Sequence, residues 1–277
     1  MSWSRYLLLL LLSANSWAAG EWVVAGGVDA DSADGLAGAL LGDVAIGENT
    51  WLSGAVARSS VDLEFREALE TWYADVGIDH FFDPAGIRLS TAYWGDDDIL
   101  DSVDLRTSLY FRGGKGSLSF DYEFRDFELV LPQIGDLPRR RTNFDAQGLG
   151  MAARLDLTDR VDVSLRGIAY DYSVNLRLDP SRDIVNVISV TRLSLINSLV
   201  DYRANLGLGI DFGLNRLVFD VAQWEGAVAG ARTNSYSLRF MTPIGDRNDI
   251  EFGLGYDDSD SYGQVTVLSI YLYFYGT

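Results

Sequence analysis

The chain has 277 residues and is acidic, with a formal net charge of −18, while 48% of its residues are hydrophobic and 12% are Phe, Trp or Tyr. This charge argues against nucleic acid as a partner, because nucleic-acid binding would need a basic face. Since the chain contains no cysteine, packing and strand pairing must stabilise it without a disulfide framework or a lipid-attachment thiol.

The first residues have the pattern of a secretory signal peptide. Arg5 precedes an apolar run over residues 7–12, and Ser-Trp-Ala at residues 16–18 forms a small-x-small cleavage site. We therefore expect a signal peptide at residues 1–18 and a single domain at residues 19–277 that functions outside the cytosol. No later apolar run approaches the ~20 residues that a membrane helix needs, so any membrane crossing must be made by strands.

Apolar and polar residues alternate with a period of two along the rest of the chain, which is typical of strands with one apolar and one polar face. Residues 201–212 (DYRANLGLGIDF) are the clearest example, and residues 103–112 and 117–125 repeat the pattern. A soluble sandwich would bury the apolar face, whereas a membrane barrel turns it toward lipid and encloses a polar lumen. The barrel is favoured, because strands this numerous and this consistently apolar on one face are unusual in an acidic periplasmic β-protein, the alternative.

Read in chain order, the alternation and its Gly and Pro breaks predict about fourteen strands, an even number as in bacterial single-chain barrels. They lie near residues 21–28, 35–46, 51–60, 70–81, 87–94, 102–112, 117–127, 142–157, 161–178, 198–212, 217–224, 233–243, 250–257 and 264–275. Residues 184–198 also fit strand extensions, an extra hairpin or a segment folded into the mouth, so twelve or sixteen strands are alternatives.

The predicted connections are of two kinds, short turns and mostly longer acidic or irregular loops, which alternate along the chain. Outer-membrane barrels have short periplasmic turns and longer outer loops. The predicted fold class is therefore all-β: a transmembrane antiparallel up-and-down β-barrel. The tryptophans after the signal segment lie near strand ends, where we expect them to sit at the membrane interfaces. These predicted interface aromatics are Trp22, Trp51, Trp72, Trp94 and Trp224.

The last predicted strand alternates Leu268, Ile270, Leu272 and Phe274 with tyrosines at 271, 273 and 275. With this strand, the chain resembles Gram-negative outer-membrane β-barrel proteins of the porin type over essentially the whole of residues 19–277. The resemblance implies a location in the outer membrane of a Gram-negative bacterium and contact with membrane lipid and lipopolysaccharide. It also implies that the barrel-assembly machinery reads the last strand, which departs from the usual terminal aromatic by ending in Gly-Thr.

The polar faces of the strands carry charges of both signs, which can form cross-strand pairs, line a small hydrophilic pore, or do both. The residues predicted to line the lumen are Asp75, Arg88, Asp104, Arg106, Arg112, Asp121, Glu123, Arg125, Arg154, Asp156, Arg166, Asp201, Arg203, Asp211, Arg239 and Glu251. Glycines at 148, 150, 207, 209, 253 and 255 also face inward in this register. Barrel curvature explains them, and room for a loop, a solute or large side chains is the alternative.

His80, the only histidine, lies beside a predicted periplasmic turn and has no serine or acid partner in the sequence pattern of membrane hydrolases. We interpret it as structural and expect no catalytic residue. The Asp-rich segments 95–98 and 257–261 lack the ligand spacing of an EF-hand and are interpreted as solvated loops, with divalent-ion bridging to lipopolysaccharide as the alternative. Arg139, Arg140 and Arg141 could bind lipopolysaccharide phosphates or balance nearby carboxylates.

These observations predict a passive pore for small hydrophilic solutes, mildly cation-preferring because its wall and mouth are net acidic. No catalytic step, metal or cofactor is expected. The alternative is a non-conducting barrel that serves as a structural or docking subunit of an envelope assembly, with an envelope protein as its partner. A membrane-embedded hydrolase is the least favoured interpretation.

Overall fold

The computed structural model describes residues 21–63, 66–96, 99–131, 140–174, 199–228 and 230–276. The predicted signal peptide at residues 1–18 and the segment 184–198 lie outside the described residues. Within the described part of the chain, no helix is long and apolar enough to cross a membrane.

Fourteen antiparallel strands form one closed barrel in which each strand pairs with its neighbours in sequence. Their bounds are β1 Trp22–Asp31, β2 Gly35–Gly47, β3 Thr50–Leu63, β4 Arg66–Phe82, β5 Ala85–Gly95, β6 Leu100–Gly113, β7 Gly116–Leu131, β8 Arg140–Thr158, β9 Val161–Tyr172, β10 Val200–Phe212, β11 Asn215–Gly226, β12 Arg232–Pro243, β13 Asn248–Ser259 and β14 Gly263–Gly276.

Closure is made by β1 and β14, which pair from Trp22 opposite Gly276 to Asp31 opposite Val267. The predicted up-and-down barrel of fourteen strands is therefore confirmed. The alternatives of twelve and sixteen strands are wrong, because β9 pairs directly with β10 and the closed ring leaves no edge for another strand. Several strands are longer than predicted, and β1 continues to Asp31 where the sequence suggested a loop.

One face of the barrel carries large exposed apolar side chains. On β8, for example, Leu149 is 71% exposed and Met151, two residues on, is 52% exposed. These residues point away from the barrel axis, since Gly148, on the other face of β8, pairs with Tyr170, whose contact across the interior is described next. A continuous apolar exterior is what a hydrocarbon environment would require of a strand-built protein.

The polar face lines the interior, because its side chains reach each other across an intervening strand. The Tyr170 hydroxyl on β9 donates to Glu123 Oε2 on β7 at 2.7 Å. On the other side, Arg106 Nη1 on β6 donates to the Tyr73 hydroxyl on β4 at 3.2 Å. Side chains of non-neighbouring strands converge only on the concave side of a closed sheet, so the predicted division into polar inside and apolar outside is observed.

The two ends of the barrel differ in their connections. One end, here the short-turn end, has turns at residues 48–49, 83–84, 114–115, 159–160, 213–214 and 244–247. The opposite end, here the long-loop end, carries the two longest connections, which include the segments 132–139 and 175–198 outside the described residues, beside short ones such as 32–34 and 260–262. This asymmetry agrees with the two kinds of connection predicted from the sequence.

Candidate functional site: the barrel interior

A buried ionic network occupies the interior next to β6 and β7. Arg125 Nε lies 3.0 Å from Asp104 Oδ1, and both side chains are 2% exposed. Arg106 lies between two carboxylates, with Nη2 2.9 Å from Asp104 Oδ2 and Nε 2.9 Å from Glu123 Oε1. Ser102 also donates to Asp104. These predicted lumen residues are thus brought together as cross-strand and diagonal pairs, and each buried charge has a partner of opposite sign.

A second network spans β8 to β11. Arg216 Nη2 lies 2.6 Å from Asp162 Oδ2, and its Nη1 lies 2.9 Å from Asp211 Oδ1. Arg154 Nη2 also approaches Asp162 Oδ2 at 3.3 Å. Gly209 on β10 lies beneath the Arg216–Asp162 pair, and a Cβ atom there would overlap Arg216 and lie 2.5 Å from Asp162. This inward glycine therefore makes room for large side chains, the alternative that the sequence left open.

Other inward glycines lie beneath tyrosine rings of neighbouring strands. A Cβ atom on Gly148 would lie 2.6 Å from the Tyr170 ring, and one on Gly27 would overlap the Tyr271 ring. Each ring lies against the wall because the glycine has no side chain, and each hydroxyl then reaches a carboxylate, Glu123 for Tyr170 at 2.7 Å.

The remaining predicted lumen residues also have partners. The contacts are Arg88–Asp79 at 2.7 Å, Arg239–Asp220 at 3.0 Å, Arg239–Glu251 at 3.9 Å, Arg166–Asp121 at 3.8 Å, Arg154–Asp156 at 3.5 Å, and the Tyr73 hydroxyl to Asp75 at 3.0 Å. Arg112 lies 4.7 Å from the centre of the Tyr110 ring. Asp201 and Arg203 lie on β10 and also have interaction partners.

The sequence reasoning missed several interior residues. Arg216 was assigned to a turn, although alternation continues through it to the start of β11 at Asn215. Asp29 was assigned to a loop, but it pairs within β1 and accepts a hydrogen bond from the Tyr271 hydroxyl at 2.8 Å. Inward tyrosines were missed because tyrosine occurs on both faces of these strands.

The tryptophans divide between the two faces, which differs from the prediction for three of them. Trp22 and Trp72 are outward and are 37% and 49% exposed, as interface aromatics would be. Trp94 and Trp224 are instead 6% and 7% exposed and point inward, since register places Trp94 opposite Tyr73 and Trp224 opposite the buried Thr233. Trp51 pairs with the inward Asp79 and faces the same way. A position near a strand end does not determine whether a tryptophan faces outward or inward, because this depends on the register of the strand.

A buried apolar cluster lies inside the long-loop end. It consists of Trp94, Leu100, Phe127, Phe144, Ala146, Leu199, Ala227 and Val228. The Phe127 and Phe144 rings stack with centroids 5.0 Å apart. Because residues that flank the loops pack here against strand residues, this part of the interior is filled with apolar side chains.

The strands β5 to β12 form one side of the interior, which we call the arginine wall. Each strand carries at least one inward arginine, and these are Arg88, Arg106, Arg112, Arg125, Arg154, Arg166, Arg203, Arg216 and Arg239. Acids on the same strands pair with many of them. The apolar cluster fills this wall at the long-loop end, whereas a cavity of about 240 Å³ remains beside Asp162, Arg216 and Arg239.

The opposite side, formed by β13, β14 and β1 to β4, we call the acidic wall. Its inward acids are Asp29, Asp31, Asp43, Asp75, Asp79, Asp249, Glu251 and Asp257. Among the described side chains of these strands the one cation is Arg58, which lies 5.0 Å from the outward Trp72 ring. Asp43 is exposed and Leu41 is half-buried, in contrast to Asp104 and Arg125 at 1% on the arginine wall.

His80 and Arg141 lie on the outward face of the barrel. His80 Nδ1 is 2.9 Å from Thr50 Oγ1 on the outward face. Arg141 Nη1 lies 2.7 Å from Glu128 Oε1, as expected of a basic loop end that balances a carboxylate. Arg140 begins β8, and Arg139 lies outside the described residues. Across the described part of the chain, no group of three or more His, Cys, Asp or Glu side chains is arranged to hold a metal ion.

No family model and no curated protein matches this chain. Among solved structures, it is similar to the CymD monoaromatic hydrocarbon channel, with 11% identity, a TM-score of 0.59, and coverage of 98% of this chain and 92% of that chain. It is also similar to a loop L8 deletion mutant of the Vibrio cholerae outer membrane protein OmpT, with 9% identity, a TM-score of 0.50, and coverage of 94% and 100%.

A third similar structure is OccAB1 of Acinetobacter baumannii, with 8% identity, a TM-score of 0.50, and coverage of 93% of this chain and 96% of that chain. At these identities the similarity concerns the fold. The chain therefore has the closed-barrel fold of outer-membrane channel proteins.

Proposed function

We propose that the protein is a passive pore in the outer membrane of a Gram-negative bacterium, which admits small hydrophilic solutes and mildly prefers cations. The closed barrel, its apolar exterior and its polar interior support this role, as does the fold that it shares with outer-membrane channels. No catalytic step and no cofactor is part of the proposal. In this proposal the short-turn end faces the periplasm.

The route for solutes follows the acidic wall. On β6 and β7 of the arginine wall, Arg125, Asp104 and Phe127 are 1% exposed, so side chains already occupy that part of the interior. On the acidic wall, the inward positions of β2 and β3 hold small residues such as Ala39 and Ala55. Small side chains leave space next to the wall, and water-filled space in a barrel of this size is the physical requirement for conduction.

Cation preference follows from the separation of charge between the walls, which is the observation that carries the proposal. The inward arginines are mostly neutralised by acids next to them, as in the Arg125–Asp104 and Arg216–Asp162 pairs. On the acidic wall, Asp79 and Glu251 lie next to Arg88 and Arg239, whereas Asp29 and Asp249 are bonded to tyrosine hydroxyls, which leave their charge in place. A narrow passage beside unneutralised carboxylates has a negative potential, which concentrates cations and repels anions.

Reversal-potential measurements in planar bilayers test this proposal. In a tenfold KCl gradient, we expect a steady conductance and a reversal potential displaced toward potassium, whose limit is about 59 mV. The double variant Asp43→Asn, Asp75→Asn should lower the displacement. As a matched control, Glu128→Gln on the outward face should not. A reversal potential on the chloride side would contradict the cation preference.

The alternative function is a non-conducting barrel that serves as a structural or docking subunit. The apolar cluster favours it, because loop-flanking residues such as Leu199 and Val228 pack across part of the interior at the long-loop end. Absence of conductance from protein that has folded, as judged by altered gel migration after boiling, would support this alternative over the pore.

Contacts with membrane lipid, with lipopolysaccharide and with the barrel-assembly machinery are part of the proposal. The outward side chains of β14 support the contacts with membrane lipid and with the barrel-assembly machinery. Leu268, for example, is 61% exposed and Phe274 is 44% exposed. Arg141 pairs with Glu128 through Nη1, so in this proposal its other guanidinium N–H groups bind the lipopolysaccharide phosphate.

A further inference from the structure

Three tyrosines on β14 point into the interior from the acidic wall. Tyr271, Tyr273 and Tyr275 alternate with the outward Leu272 and Phe274, which are 37% and 44% exposed. The three tyrosines are half-buried and follow one another along the half of β14 nearer the short-turn end. We call them the tyrosine strip.

Two tyrosines of the strip are hydrogen-bonded to carboxylates of neighbouring strands, and the third lies opposite a carboxylate. The Tyr271 hydroxyl donates to Asp29 Oδ2 on β1 at 2.8 Å, and the Tyr275 hydroxyl donates to Asp249 Oδ2 on β13 at 2.9 Å. Tyr273 lies opposite Asp249 on β13, two residues from Glu251 on the same face of that strand. The hydroxyl hydrogens of Tyr271 and Tyr275 are thus engaged with the wall. A solute in the passage therefore meets ring surface and carboxylate oxygen, rather than phenol donors.

The Tyr271 ring has room to lie along the wall. Gly27 on β1 is paired with Tyr271, and a Cβ atom there would overlap the ring. Without that atom the Tyr271 ring lies against the β1 backbone. Arg239 approaches Glu251 at 3.9 Å but is bonded more closely to Asp220 at 3.0 Å.

Aromatic faces and carboxylates together favour one class of solute. A ring face attracts a cation, and the attraction is strongest for cations that lose their water easily, such as alkylated ammonium ions. A carboxylate attracts any cation, while both groups disfavour an anion. Potassium is therefore attracted mainly by the carboxylates, whereas an organic ammonium ion is attracted by both the carboxylates and the rings.

We propose that the tyrosine strip makes the passage selective for organic ammonium ions over inorganic cations of equal charge. This inference rests on the proposed cation-preferring pore and specifies the solute class of that pore. In this proposal the solute contacts Tyr271, Tyr273 and Tyr275. Its positive charge is compensated by Asp29, Asp249 and Glu251.

Bilayer recordings with tetramethylammonium chloride and potassium chloride test this proposal on the purified protein. We expect the permeability ratio of tetramethylammonium to potassium to exceed the ratio of their free-solution mobilities by about two- to five-fold, the range that corresponds to exposed cation–π contacts. Tyr273→Leu should bring the ratio back toward that of the mobilities. Tyr273→Phe keeps the ring and should keep the ratio, and Tyr236→Leu, on the outward face, is the matched control.

The outcomes separate the two proposals. A wild-type pore that prefers potassium to chloride, but passes tetramethylammonium only in proportion to its mobility, overturns the role of the tyrosine strip and leaves the pore intact. A ratio that is raised in the wild type and unchanged in Tyr273→Leu also overturns it. Silence, or preference for chloride, overturns both proposals. If Tyr273→Leu does not fold, the wild-type ratio alone decides.

Discussion

Replacement of Arg125 by methionine should destabilise the barrel strongly, because the change removes one of the two arginines that pair with the buried Asp104 carboxylate. Arg125 is 1% exposed, and its Nε lies 3.0 Å from Asp104 Oδ1, which is equally buried. Methionine retains much of the volume that packs against Phe127, whose ring centre is 4.8 Å from the guanidinium carbon. The loss is therefore mainly electrostatic.

The expected magnitude follows from the surroundings of Asp104. Removal of one partner of a buried ion pair costs about 3–5 kcal/mol when the other charge stays uncompensated. Asp104 keeps Arg106 at 2.9 Å and the hydroxyl of Ser102, so we expect the lower end of that range, about 3 kcal/mol. Asp104→Asn in the Arg125→Met background should recover part of the loss, since it removes a buried carboxylate charge that Arg106 must also share with Glu123.

Urea-induced unfolding of the barrel in lipid vesicles measures this free energy. Arg154→Met is the matched control, because Arg154 is 51% exposed and its pairs should contribute less than about 1 kcal/mol. Equal unfolding free energies for Arg125→Met and Arg154→Met would refute the reasoning that burial decides the cost. So would a double variant that is less stable than Arg125→Met alone.

Three further changes test other parts of the structure. Truncation of Phe127 and Phe144 to alanine together should raise single-channel conductance, and an unchanged conductance would show that the apolar cluster does not limit the passage. Gly209→Leu should lower the free energy of unfolding by about 1–3 kcal/mol, because the side chain would displace the ion pair above it; stability equal to wild type would contradict that packing. Leu149→Arg, in the middle of β8 on the outward face, should cost about 2–4 kcal/mol in lipid. Its control is Met151→Leu, and similar stabilities of the two variants would place Leu149 outside the hydrocarbon.

The strands and their inward faces could be predicted because a period of two is a local property of the sequence. Asp104 and Arg125, for example, follow from alternation within their own strands, and their pairing follows once β6 and β7 are neighbours. The strand ends were predicted less accurately. Arg216, for example, continues the alternation of β11 in a segment whose sequence is also typical of a turn. The local sequence is compatible with two positions for the start of this strand, and pairing with the neighbouring strands determines which of them is adopted.

The arrangement of the interior could not be predicted, because it depends on register and on contacts across a strand. Trp94 is buried since it lies opposite Tyr73, a pairing that a single strand does not reveal. Gly209 makes room for an ion pair between β9 and β11, which involves three strands at once. The separation of an arginine wall from an acidic wall appears only when the strands are placed around a closed ring.

The face assignment on the acidic wall can be measured directly by cysteine substitution, because the chain has no cysteine of its own. Leu40 and Leu41 are consecutive on β2, with Leu40 43% exposed outward and Leu41 inward between Ala25 and Ala55. Thiols react with charged reagents as thiolates, which form in water and not in hydrocarbon. A membrane-impermeant charged thiol reagent should therefore modify Leu41→Cys and alter the bilayer current, while Leu40→Cys stays unmodified. Modification of Leu40→Cys with protection of Leu41→Cys would contradict a water-filled passage along the acidic wall.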